Sequence, residues 1–343
     1  MLTKKQRLFK VLEGTDVDRP PCICPGGMMN MVTEELIDQR GINFTDAHHD
    51  PELMADLAES VVVSGCFENY GVPFCMTVEA EGFGAEVVYG SNSVEPHVAT
   101  YLNRSVTEWS DLPKVDHETG RSAVVLEAIK RLKGRNMQVP IVGNITGPIS
   151  TASSLMEPVD FYKELRKKNA DAHAYMAKVT ESLMDFLLLQ IEAGADIIAI
   201  SDPSGTGEIL GPKLFSEFAV PYLNQLIDCA SERGIPTIVH ICGQMKKVYK
   251  EVDCIKSHAL SFDAMVNMKE ARLNLPNRCI MGNLSTYTLE FGSPEKIKGL
   301  TTQCLNQGVD IVAPACGLGM RSPLENVQAV LKTVKEGLAD DNN

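Results

Sequence analysis

The chain has 343 residues, of which 44% are hydrophobic and 22% charged, enough for one large globular domain and inside the size range of a single α/β barrel. Its net charge of -13, without a dense Lys/Arg run, repels a phosphate backbone or an anionic membrane surface, so neither nucleic acid nor membrane is an expected partner. The opening Met1-Leu2-Thr3-Lys4-Lys5-Gln6-Arg7 lacks the apolar core of a signal peptide, so the ten cysteines are expected to be reduced thiols in a cytoplasmic protein.

In chain order, the pattern over 4–13 is helical with Gly14 as its stop, so the first twenty residues read as a helical extension preceding or plugging the domain. Strand-length apolar runs follow at 20–24, 66–70, 139–143, 196–200, 237–242, 259–263, 279–282 and 309–314. Helical periodicity fills 51–64, 122–132, 170–192, 212–232, 294–306 and 323–336, with several segments opening on Pro at a plausible first turn. Eight strands alternating with helices predict a single (β/α)8 TIM barrel over 1–343. The alternation breaks over 77–115, where short β-like pieces at 86–89 and 97–101 predict an inserted hairpin and loop. The tail, 340–343, is expected to fray.

The most chemical segment is Pro236-Thr237-Ile238-Val239-His240-Ile241-Cys242-Gly243. In a strand, residues i and i+2 project from one face, so His240 and Cys242 reach one ion while Ile241 packs the other way. Pro314-Ala315-Cys316-Gly317 repeats the strand-then-Cys-Gly ending and offers a second thiolate. One imidazole and two sulfurs suit zinc, and a replaceable fourth position makes such a site catalytic. The competing reading is a core histidine satisfied by a carbonyl beside an inert thiol. Barrel register favours the metal, because chemistry gathers at the carboxyl ends of strands. His240 and Cys242 close the fifth expected strand, Asp263 the sixth, Asn283 follows the seventh, Cys316 the eighth and Asp202 the fourth.

Each of the other candidates has a plainer alternative. Asp263 is either a ligand or a loop-holding carboxylate, and Asp202 in Ile200-Ser201-Asp202-Pro203 is either functional or a cap. Asn144 and Asn283 are candidate cofactor contacts or turn stabilisers. Cys22 and Cys24 have no accompanying His, and Met28, Met29 and Met31 read first as packing, although soft side chains near a barrel mouth also suit a large flat cofactor.

The segments His240-Ile241-Cys242-Gly243, Gly282-Asn283-Leu284-Ser285, and Val309 through Gly317 followed by Ser322-Pro323-Leu324-Glu325-Asn326-Val327 closely resemble the methylcobamide:coenzyme M methyltransferases of the uroporphyrinogen decarboxylase superfamily. Pro51-Glu52-Leu53-Met54-Ala55, Pro73-Phe74-Cys75-Met76-Thr77-Val78 and Ala193 through Pro203 extend the likeness nearly end to end. The resemblance implies zinc held by His240, Cys242 and Cys316, and methyl transfer from a methylcobamide on a partner corrinoid protein to a small thiol such as coenzyme M. Asp263 stands where the family tends to have Glu, one methylene shorter. Arg321 is a candidate for the acceptor's tail.

Three other readings compete. A zinc methyltransferase with a different donor or acceptor needs the same ligands. A porphyrinogen decarboxylase needs arginines near the first strand, where this chain has Arg19 and then none until Arg40. A zinc-binding or corrinoid-chaperone module without turnover is a different class, which methylation of a thiol by methylcobalamin excludes.

Overall fold

A computed structural model describes residues 2–340; of the expected frayed tail, 341–343 lie outside the described residues. Seven parallel strands form one curled sheet in the order β1 (Tyr70–Val72), β4 (Ile141–Thr146), β5 (Ile197–Ser201), β6 (Thr237–Ile241), β7 (Ala259–Phe262), β8 (Cys279–Leu284) and β9 (Ile311–Pro314). The remaining two strands, β2 (Glu86–Val88) and β3 (His97–Thr100), pair antiparallel as the inserted hairpin.

The expected first strand closes the ring. Cys22 bridges Val312 of β9 in parallel, Ile23 N–H donates to the Val312 carbonyl at 3.0 Å, and Val312 N–H donates to the Pro21 carbonyl at 2.9 Å. On its other side the Asn69 amide substitutes for a ladder, accepting from Cys24 N–H at 3.0 Å and donating to the Cys24 carbonyl at 2.8 Å. That is why β1 begins at Tyr70 rather than 66: Glu68 and Asn69 point their side chains into the seam, and only beyond them does the backbone pair with β4.

The interior strands bury both faces, as helices on the outside of a parallel sheet require, and β4, β5, β6, β7 and β9 are buried throughout. The helix Lys4–Leu12 lies against the amino ends of the strands: Lys5 N–H donates to Gln138 just before β4, and its ammonium meets Asp196 just before β5 at 2.5 Å. The long helix Asn169–Ala193 stops at Gly194, whose φ of 118° a side chain would strain.

One expected helix is broken. Over 212–232 the chain turns at Gly211 (φ 67°), runs through Leu214, widens into a π turn at Phe215–Ala219 and resumes as Val220–Ser231. Pro221 has no N–H to give the carbonyl four residues back, which favours the wider turn before it. Among the described residues, no helix is long and apolar enough to cross a membrane.

Parallel register aligns four polar side chains at one level of the barrel. Thr146, Ser201, His240 and Ser261 are successive partners across β4, β5, β6 and β7, so their side chains share one layer near the carboxyl ends.

Candidate metal centre

His240 is the penultimate residue of β6 and Cys242 the first beyond it, so strand alternation turns both to the same side. His240 Nε2 lies 3.2 Å from Cys242 Sγ. Cys316, two residues past β9, arrives from the far side of the barrel, and the ligand atoms of all three residues lie within 4.8 Å of one another. Among the described residues this is the one such grouping of His, Cys and acidic side chains. His240 is buried, and the two cysteines are half-buried at the mouth.

The imidazole is held from behind. Its Nδ1 sits 2.9 Å from Ser261 Oγ, a fully buried hydroxyl brought alongside by the β6/β7 register. This contact aims Nε2 at the thiols. Hydrogen bonding from Cys242 is the largest influence on Cys316 and holds its thiol below the usual range against burial, with His240 helping; the same bond and burial push Cys242 up. One nitrogen and two sulfurs, converging at a mouth with the histidine's orientation fixed by an outer hydroxyl, fit zinc. Replacing Ser261 by alanine is therefore expected to weaken zinc affinity by about ten- to a hundredfold in competition with a chromophoric chelator, and unchanged affinity would show that Ser261 does not orient the ligand.

The other expected residues lie outside this grouping. Asp263 accepts from Gly243 N–H at 3.2 Å and Met265 N–H at 3.0 Å, fastening the turn that carries Cys242. Asp202 is buried, and its oxygens accept from Ile149 N–H at 3.2 Å, Ser150 N–H at 2.7 Å and Ser150 Oγ at 2.6 Å. It therefore caps the helix Pro148–Ser154 instead of the turn just after it in sequence, and burial pushes its carboxyl up to about 6. Asn144 donates to the carbonyls of Pro25 and Val72, both at 2.9 Å, tying the exit of the first strand to β1. Asn283 donates to the carbonyls of Asp263 and Val266, both at 2.8 Å. Arg321 is exposed.

Cys22 and Cys24 are buried, and burial raises both thiols; Cys24 donates to the Met29 carbonyl at 3.2 Å. Met29 and Met31 are core, whereas Met28 is half-buried with its sulfur 3.7 Å from Cys316 Sγ. A further carboxyl, Glu95, arrives on the loop between β2 and β3; burial, then the neighbouring Cys75 and Cys316, push it up to about 8. Nothing local in the sequence distinguishes Glu95 from the other acidic residues of the hairpin. Ser261 carries a faint signal, since it is two residues before Asp263 and so on its face of the strand.

The chain matches the family described as uroporphyrinogen decarboxylase (URO-D) over residues 3–337. It is 32% identical to a methylcobamide:CoM methyltransferase of Methanosarcina barkeri, covering 96% of this chain and 96% of that protein. It is 29% identical to a methylated-thiol–coenzyme M methyltransferase of Methanosarcina mazei, over 98% of this chain and 90% of the other. A solved structure of a methyltransferase from Methanosarcina mazei superposes with a TM-score of 0.90 at 30% identity, covering 98% of this chain and 99% of that one.

Proposed function

The chain belongs to the uroporphyrinogen decarboxylase (URO-D) family, in its methylcobamide:coenzyme M methyltransferase branch, and from that premise we propose that it moves a methyl group from a methyl-Co(III) corrinoid protein to a small thiol such as coenzyme M, with zinc as its metal. The observation that carries this reading is the convergence of His240, Cys242 and Cys316 within 4.8 Å at the barrel mouth.

His240, Cys242 and Cys316 would hold the metal. When bound, zinc supplies a Lewis acid that favours the thiolate form of an acceptor whose thiol is mostly protonated at neutral pH. Cys242 and Cys316 each bring negative charge, which offsets the cation and leaves an incoming sulfur electron-rich. Ser261 orients the imidazole, and Asp263 pins Gly243 so that Cys242 keeps its place. The mouth is ringed by loops from different strands, an arrangement suited to a macrocycle carried on another protein.

The decarboxylase reading loses its arginine. Arg19 is buried and donates both terminal nitrogens to Glu68 at 2.8 and 2.5 Å, so it is committed to the barrel seam and turned away from any substrate. The relative named for methylated thiols keeps a different donor in play, and the assay must separate these chemistries. Methylcobalamin demethylation should proceed with zinc-replete protein and coenzyme M, fall to background after chelation, and return with added zinc; a thiol panel and a folate identify the acceptor. Turnover indifferent to chelation, or confined to the folate, would overturn the proposal.

A further inference from the structure

Resting on the proposed thiol acceptor, but testable without turnover, we infer that Met28 forms the wall over Cys316 that an acceptor must pass, and so selects thiols unbranched at the carbon bearing sulfur. The thioether lies 3.7 Å from Cys316 Sγ, the contact distance of two sulfurs, and both residues are half-buried, so they share the open side of the centre.

The backbone beneath Met28 is fixed on every side. A Cβ on Gly317 would stand 2.6 Å from the Met28 carbonyl oxygen, so the residue after Cys316 must be glycine for the two loops to approach this closely. Leu318 N–H donates to the Asn30 carbonyl at 2.8 Å, Asn30 Nδ2 reaches Met320 Sδ at 3.2 Å, and Gly27 N–H donates to the Pro73 carbonyl at 2.7 Å. Cys24 Sγ grips the Met29 carbonyl from below at 3.2 Å, and Asn144 holds Pro25. A loop tied at residues 24, 25, 27, 29, 30 and 31 cannot lift away as a body, and Met31 is itself core. The movable part of this wall is the unbranched Met28 side chain itself. A narrow thiol passes such a side chain, whereas substituents on the carbon beside sulfur collide with it.

The other side of the centre differs in character. There the residue after Cys242, Gly243, has the Glu208 carboxylate 2.7 Å from where its Cβ would be, and Asp263 bonds its N–H. That side is acidic, but Glu95 brings a second carboxyl beside Cys316 and Asn30, so charge alone does not choose the acceptor's path and the Met28 wall acts by shape.

The test reads access to Cys316 directly in metal-free protein. Alkylation of Cys316 by iodoacetamide and by N-(1-pyrenyl)maleimide is followed by peptide mass spectrometry, with exposed Cys254 as internal reference. Met28→Ala should raise the pyrenylmaleimide rate at Cys316 about tenfold while changing the iodoacetamide rate less than about twofold, the scale of discrimination a pocket obtains from one or two methylenes. Met28→Phe should slow the bulky reagent and guards against a loosened alanine variant. Equal acceleration of both reagents, or no change in either variant, overturns the inference. In zinc-loaded enzyme, Met28→Ala should lower KM for tert-butyl mercaptan by a larger factor than it changes KM for 2-mercaptoethanol, with the zinc content unaltered. A zinc loss would instead make Met28 part of the metal's hold and overturn its role as a wall. If wild-type protein binds no zinc, the methyltransferase reading fails while the alkylation result still decides the Met28 claim.

Discussion

Replacing Cys316 by alanine is expected to strip the metal and abolish thiol methylation while the barrel still folds. Cys316 lies beyond β9 on a half-buried turn, and its side chain touches Cys242, His240 and Met28 rather than the hydrophobic interior. Its removal leaves one imidazole and one thiolate. Loss of an outer-shell partner already costs about ten- to a hundredfold in metal affinity, so loss of a thiolate should exceed a hundredfold. Thermal unfolding of the metal-free proteins should coincide within a few degrees. Stoichiometric zinc retained by the variant would refute the ligand assignment.

Glu68→Ala should produce the largest loss of stability. Glu68 is 2% exposed and receives both terminal nitrogens of Arg19, Cys22 N–H at 3.1 Å and Arg7 at 3.5 Å. It thereby joins the amino-terminal helix, the closing segment at 20–24 and the approach to β1. Burial by itself raises its pKa, but Arg19, the Cys22 N–H and Arg7 outweigh that and leave it below the ordinary value. Removing it strands the buried Arg19 guanidinium, while Arg7 keeps both its bonds to Asp18, and a loss of about 3–5 kcal/mol is expected in urea unfolding at neutral pH. A carboxyl whose folded pKa is depressed contributes stability above its unfolded pKa and loses it as pH falls through the folded one. The gap between wild type and variant should therefore close as the solution is acidified below the ordinary carboxylate range. A loss below about 1 kcal/mol would show that the seam does not depend on this pair.

The candidate centre was legible because each ligand obeys a local rule. His240 and Cys242 stand two apart on a strand, and Cys316 follows the last strand at the same end of the barrel. What the residues contact across the sheet was not legible, because parallel register is a tertiary property. Ser261 faces His240 only once β6 and β7 pair at Val239 with Leu260. Asp202 read as either a functional carboxylate or a cap for its own turn, yet its side chain serves the helix Pro148–Ser154, which β4 sets beside β5. Asn144 and Asn283 reach backbone carbonyls, the turn-holding role that amide side chains offer in any loop. The strand expected at 66–70 was misplaced for a similar reason: Cys66 and Phe67 are apolar and buried, but they pack without pairing. The helix over 212–232 read as continuous because periodicity records which face is apolar, whereas Gly211 and Pro221 decide where the backbone can bond.

X-ray absorption at the zinc edge, with elemental analysis of the same purified sample, tests the central claim most directly. One zinc per chain, bound by one nitrogen and two sulfurs from protein with a third sulfur appearing when coenzyme M is added, is the predicted result. Absence of zinc from protein folded and purified without chelator, or a shell of oxygen and nitrogen only, would contradict it.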